Sequence, residues 1–155
     1  MTRSTQQQPQ PPFPPQPITP PGEEHAMDPA PQYVAPKYRG AMKLLGQAAV
    51  ITGGDSGIGR AVAVLFAREG ADVVIAHLPE EEQDAKQTRS AVAAEGRRAV
   101  AVAGDVREPE FCKRLVEKAV AEFGRLDILV NNAAYQKHRR SLDEIDEEQW
   151  DRTFK

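Results

Sequence analysis

Residues 47–60 read QAAVITGGDSGIGR, and the fold turns on how this stretch is read. Ala48, Ala49, Val50 and Ile51 form a short apolar run that Thr52 ends. That length and composition suit a strand buried on both faces of a parallel sheet. Gly53, Gly57 and Gly59 follow at G-x-x-x-G-x-G spacing. After Gly59, the apolar residues Ala61, Val62, Leu65, Phe66 and Ala67 recur with a period near 3.6, which predicts a helix that Gly70 stops. Strand, glycine loop and helix together suit the phosphates of a nucleotide. The free N–H groups of a helix start point at an anion, and the helix dipole favours negative charge there. Glycine serves where φ is positive, where backbone meets phosphate, and where helix packs closely on strand. The alternative is a plain strand-to-helix turn. A P-loop is excluded because no Lys-Ser/Thr pair follows the last glycine, and the G-x-G-x-x-G spacing is absent.

Outward from this stretch, 155 residues allow one modest domain. The net charge of −3 gives no footprint for nucleic acid or an anionic membrane. Cys112 is the lone cysteine, so no internal disulfide forms, as in a reducing compartment. Beside Phe111 and Leu115 it reads as a buried structural thiol. No apolar run approaches the roughly 20 residues of a membrane helix, and the N-terminus lacks the apolar core of a secretory signal. The expected location is the cytoplasm, and no metal site is read.

Residues 1–40 differ in composition from the rest. Eleven of the thirteen prolines fall before Lys37, among Gln6, Gln7, Gln8, Gln10 and Gln16. Little apolar surface is available to bury, so residues 1–40 are expected to be a disordered tail of polyproline II character. PPFPPQP could dock an aromatic groove, or the segment could strap across a neighbouring subunit. Tyr33 and Lys37 stand at Y-x-x-x-K spacing, but Pro36 interrupts them, which excludes a helix.

Residues 41–155 carry the domain. Ala71 to Ala76 reads as a second buried strand with His77 at its C-terminal end, the edge where ligands bind in open α/β sheets. Glu80 to Glu95 reads as a charge-mixed helix, and Ala99 to Ala103 as a third strand that runs into Gly104-Asp105-Val106. Glu108 to Phe123 reads as a helix with Phe111, Cys112, Leu115, Val116, Ala119, Val120 and Phe123 as its buried stripe. Leu126 to Val130 reads as a fourth strand, followed by Asn131-Asn132-Ala133-Ala134. This alternation predicts α/β architecture, a doubly wound parallel sheet of Rossmann type, here incomplete.

TGGDSGIG, then GDV, then DILVNNAA, each ending a successive strand, resembles the N-terminal half of the short-chain dehydrogenase/reductase family over roughly residues 43–155. The resemblance implies an NAD(P)-dependent oxidoreductase that interconverts an alcohol and a carbonyl compound. It implies that Gly53, Ser56, Gly57, Ile58 and Gly59 hold the cofactor pyrophosphate, that Asp105 and Val106 meet the adenine, and that Asn132 and Ala133 touch the cofactor ribose. Asn131 reads as structural, and Ala134 replaces the family's usual glycine. His77 stands where NAD-specific sites place Asp or Glu for the ribose 2′-hydroxyl. NADP or NAD is therefore expected, with a lean to NADP.

The family's catalytic Asn, Ser, Tyr and Lys normally lie further along, and no catalytic residue is assigned. Trp150 to Lys155 resembles the opening of the helix that would carry the Asn. Tyr135 and Lys137 have the wrong spacing for the Tyr-Lys pair, and Lys137, His138, Arg139 and Arg140 read as a solvated loop. The chain thus reads as a truncated cofactor-binding fragment, inactive by itself. An unpaired fourth strand would make it marginally stable. The full-length parent would take a small carbonyl or alcohol substrate and assemble as a homo-oligomer. The rival readings are a non-catalytic nucleotide-binding module and a non-functional gene fragment. A methyltransferase is disfavoured because the acid expected directly after the second strand is absent, the first being Glu80 past Pro79.

Overall fold

A computed structural model describes residues 11–15, 22, 24–136 and 139–154. The glutamine cluster, Lys137, His138 and Lys155 lie outside the described residues. Four strands, β1 (Ala48–Thr52), β2 (Asp72–His77), β3 (Ala99–Ala103) and β4 (Ile128–Val130), form one parallel sheet in the order β3-β2-β1-β4. The helices are α1 (Gly57–Arg68), α2 (Glu82–Ala94), α3 (Pro109–Phe123) and α4 (Glu147–Phe154).

The alternating direction of strand side chains explains the layers. Ala49 and Ile51 of β1 and Val73 and Ile75 of β2 face α1 and α2, where Ala63, Ala67, Ala85 and Val92 meet them. Val50, Val74 and Ala76 face the other way, onto Phe111, Leu115 and Ala119 of α3. The chain winds outward through β2 to β3, then returns to set β4 on the far side of β1. Right-handed crossovers make that reversal place α3 opposite α1 and α2. The reversal also opens a crevice at the C-terminal ends of β1 and β4, the switch point where such sheets bind ligands.

The doubly wound fold is as the sequence implies, but the helix faces differ in detail. On α1 the buried residues are Gly59, Arg60, Ala63, Val64 and Ala67 rather than the stripe expected from Ala61, Val62, Leu65 and Phe66. The expected apolar residues are half-buried, because the sheet, α2 and the preceding segment together enclose most of the helix. On α3, Phe111, Leu115 and Ala119 seat on the sheet, while Val116 and Val120 are exposed on its outer face.

Residues 24–43 differ from the expected free tail: they run along α1 as a strap. At the helix start, Glu24 pairs with Arg60 at 2.5 Å and the Arg60 guanidinium lies 5.0 Å from the Tyr33 ring. At the helix end, Arg68 donates to the Ala35 carbonyl at 2.9 Å. There Glu69 accepts from the Tyr38 hydroxyl and from the backbone N–H groups of Ala41 and Lys43. Polar anchors hold this segment where apolar ones are lacking. Tyr33 and Lys37 are in no helix, as Pro36 requires.

Candidate functional site at the glycine loop

All four strands are parallel, so the residues that follow them gather on one edge. After Thr52 the chain turns through Gly53 at φ +61° and Gly57 at φ +49°, conformations that disfavour side chains with a Cβ. Gly59 is required for another reason: a Cβ there would stand 1.9 Å from the Gly53 carbonyl oxygen and 2.7 Å from Asn132 Nδ2. The loop therefore folds tightly back over the first turn of α1. Arg60 N–H makes the first helical bond, to the Ser56 carbonyl at 2.9 Å. The N–H groups of Gly57, Ile58 and Gly59 precede it and have no intrahelical acceptor. Gly57 N–H is taken by the Glu24 carboxylate. Ile58, 77% exposed, marks the open side of this turn.

Two structures hold the loop. On the β4 side, Thr52 Oγ1 accepts from Asn132 N–H and Ala133 N–H, both at 3.0 Å. Asn132 Nδ2 donates to the Thr52 carbonyl at 3.0 Å and the Gly53 carbonyl at 2.9 Å. The Asn132 amide thus shapes the loop directly, and Ala133 packs beside Gly53. On the α2 side, Arg60 is buried. It donates through Nε to the Asp55 carbonyl at 2.8 Å and Thr88 Oγ1 at 2.9 Å, and through Nη2 to Asp84 Oδ1 at 3.3 Å. Asp84 in turn accepts from the N–H groups of Glu24 at 2.8 Å and His25 at 3.0 Å. Sequence reading missed Arg60, Glu24, Asp84 and Thr52. One signal was present for Arg60: it sits on the 60, 63, 64, 67 stripe of α1, where a charge must be paired if buried.

At the end of β2, His77 is buried. Its Nδ1 lies 2.8 Å from the Leu78 carbonyl and its Nε2 lies 3.5 Å from Glu82. Its ring is held locally, so backbone geometry rather than a reaching side chain defines this corner. Asp55 is buried close by, and burial pushes its carboxyl above the usual aspartate range. Burial likewise raises Glu81, whose carboxylate accepts from Leu78 N–H at 3.0 Å. At the end of β3, Asp105 forms a forked pair with Arg107, with Nε–Oδ2 at 2.9 Å. The Arg107 guanidinium holds the Asp105 carboxyl below its ordinary value. Val106 packs against the α3 layer, and its carbonyl accepts the Cys112 thiol at 3.2 Å, which accounts for that cysteine structurally.

The edge therefore brings together Gly53, Ser56, Gly57, Ile58, Gly59, Asn132 and Ala133 around the crevice, with His77, Asp105 and Val106 following the neighbouring strand ends. Among the described residues no cluster of His, Cys, Asp and Glu could hold a metal ion. No helix there is long and apolar enough to cross a membrane.

Comparison with known proteins adds to this geometry. A model described as short chain dehydrogenase matches residues 47–155. General stress protein 39 of Bacillus subtilis is 53% identical over 135 residues, covering 87% of this chain and 47% of that protein. The NADPH-dependent aldehyde reductase 1, chloroplastic, of Arabidopsis thaliana is 42% identical over 140 residues, covering 87% of this chain and 49% of that protein. The chain spans about half the length of the curated relatives it matches. Among solved structures, a short chain dehydrogenase from Burkholderia cenocepacia in complex with NADP superimposes with a TM-score of 0.67 at 38% identity, over 72% of this chain and 45% of that one. Carveol dehydrogenase from Mycobacterium avium in complex with NAD gives a TM-score of 0.65 at 34% identity, over 72% of this chain and 44% of that one.

Proposed function

Because the chain belongs to the short-chain dehydrogenase family, we propose that it is the dinucleotide-binding part of an NAD(P)-dependent oxidoreductase acting on an alcohol or carbonyl group. The observation that carries this reading is the Gly53–Gly59 crossing: a Cβ at Gly59 would fill the space that brings loop backbone against the first turn of α1. That leaves the Ile58 and Gly59 N–H groups at a positive helix end, suited to a pyrophosphate.

In this reading Gly53, Ser56, Gly57, Ile58 and Gly59 cradle the pyrophosphate by backbone. Asp105 and Val106 receive the adenine, and His77 borders the ribose. Ala133 lines the crevice, and Asn132 keeps it open through its bonds to Thr52 and Gly53. When bound, the nicotinamide supplies or accepts the hydride. No described residue is assigned the acid-base step. We assign the described residues cofactor binding, and the whole protein a small carbonyl or alcohol substrate, a cytoplasmic location and a homo-oligomeric state.

NADP is the first choice, because no carboxylate occupies the position of His77. NAD is the second, favoured by the carboxyls of buried Asp55 and half-buried Glu81 near the same corner. Parallel fluorescence titrations with NADPH and NADH test both. Saturable binding with NADPH tighter supports the reading; NADH tighter reverses the choice of cofactor. Binding of neither, or undiminished binding by Gly59→Ala, removes the cofactor reading.

A further inference from the structure

We propose that Glu24 is a positioning residue for the cofactor loop, so that the strap sets the affinity for the cofactor's pyrophosphate. The inference rests on the cofactor reading above. Glu24 is buried, with 7% exposure. Its carboxylate does two things at once. One oxygen accepts from Gly57 N–H, fixing the first residue of α1. The other pairs with Arg60 Nη1 at 2.5 Å.

Arg60 carries the effect further into the loop, because its Nε holds the Asp55 carbonyl at 2.8 Å. Glu24 thus grips the loop at residues 55 and 57 from the α2 side, once directly and once through Arg60. Its own backbone is fixed by Asp84, whose Oδ2 accepts Glu24 N–H at 2.8 Å, and the Tyr33 ring covers the guanidinium. A free carboxylate at a helix start would compete with a phosphate for the same field. Here Arg60 neutralises it. Gly57 N–H is satisfied by the protein, while the N–H groups of Ile58 and Gly59, beyond it in the same turn, are left for the ligand. A loop already held in one conformation binds with less ordering cost than a loose one.

The test uses the full chain, with Glu24→Ala and Glu24→Gln, titrated with NADPH by fluorescence. ADP and adenosine are then used as displacing probes. Glu24→Ala should weaken NADPH and ADP about tenfold, the scale of a lost charged hydrogen bond, and leave adenosine unchanged. Glu24→Gln should recover part of the loss, since its amide oxygen still accepts from Gly57 N–H while its NH2 cannot accept from Arg60. Three results would overturn the proposal: unchanged affinity in Glu24→Ala, tighter binding (a competing anion), or an equal loss for ADP and adenosine. If the unaltered chain binds neither NADPH nor NADH, the cofactor reading itself fails first, and this inference with it.

Discussion

The glycine loop is gripped from two sides by different chemistry. On the β4 side the bonds are neutral: Thr52 Oγ1 to two backbone N–H groups, and the Asn132 amide to two carbonyls. On the α2 side they are ionic: Arg60 against Glu24 and Asp84, all buried. Neutral bonds between neighbouring strand ends follow from the sheet, because parallel register already brings Val130 beside Ile51. The ionic cluster depends on a segment 33 positions upstream of Gly57. Losing one neutral bond leaves dipoles partly satisfied, whereas losing one ion leaves opposite charges buried and uncompensated.

The largest effect should come from breaking the ionic side. Arg60→Met removes the cation and strands Glu24 and Asp84. Urea unfolding should show a loss of about 3–5 kcal/mol. Combining it with Glu24→Gln and Asp84→Asn should recover part of that loss, because the uncompensated charges go too. On the neutral side, Thr52→Val keeps the shape and deletes the hydroxyl that serves Asn132 N–H and Ala133 N–H. The same measurement should give a loss of about 1–3 kcal/mol. Equal losses would erase the distinction between the two sides. A control lies just beyond the neutral grip: Leu129 of β4 is 56% exposed, so Leu129→Ala should change stability by no more than about 0.5 kcal/mol.

The difference between the two sides also explains what the sequence made legible. Every strand is built on a continuous apolar run, buried throughout in β1 and β2 and mostly half-buried in the edge strands, so Ala99–Ala103 is read to the residue and the others to within two positions. The neutral side is legible in part: Asn132 stands two residues past a strand that pairs with β1 and is singled out there, for the cofactor, whereas the role of the Thr52 hydroxyl is not. The ionic side leaves a single periodic trace, the place of Arg60 on the buried stripe of α1. Glu24 lies among prolines and glutamines, whose composition argues for a solvated tail. Arg60 sits where a helix rule expects an apolar residue, and only the folded neighbours show why a charge is tolerated there. At His77 the sequence shows only that no acid stands at the strand end. Its Nδ1 bonds to the Leu78 carbonyl, with Glu82 3.5 Å from Nε2, which position alone does not reveal.

The smallest predicted effect separates the strap's two anchors. At the far end of α1, the Tyr38 hydroxyl first, then the N–H of Lys43, hold the Glu69 carboxyl well below its ordinary 4.5, at about 2. A group with a depressed folded value contributes stability that is fully present above its unfolded value. That contribution should fade as pH falls from about 4.5 towards 2, and only the contacts of residues 38–43 depend on it. Amide exchange at Ala41 and Lys43 should therefore gain a protection loss over this acid window, beyond the intrinsic pH trend, and Glu69→Gln should abolish that dependence. Gly57, held by the other anchor, should not change protection when Glu69→Gln is introduced. If it does, the two anchors act as one unit, and the ionic grip on the loop extends along the whole of α1 rather than residing at its first turn.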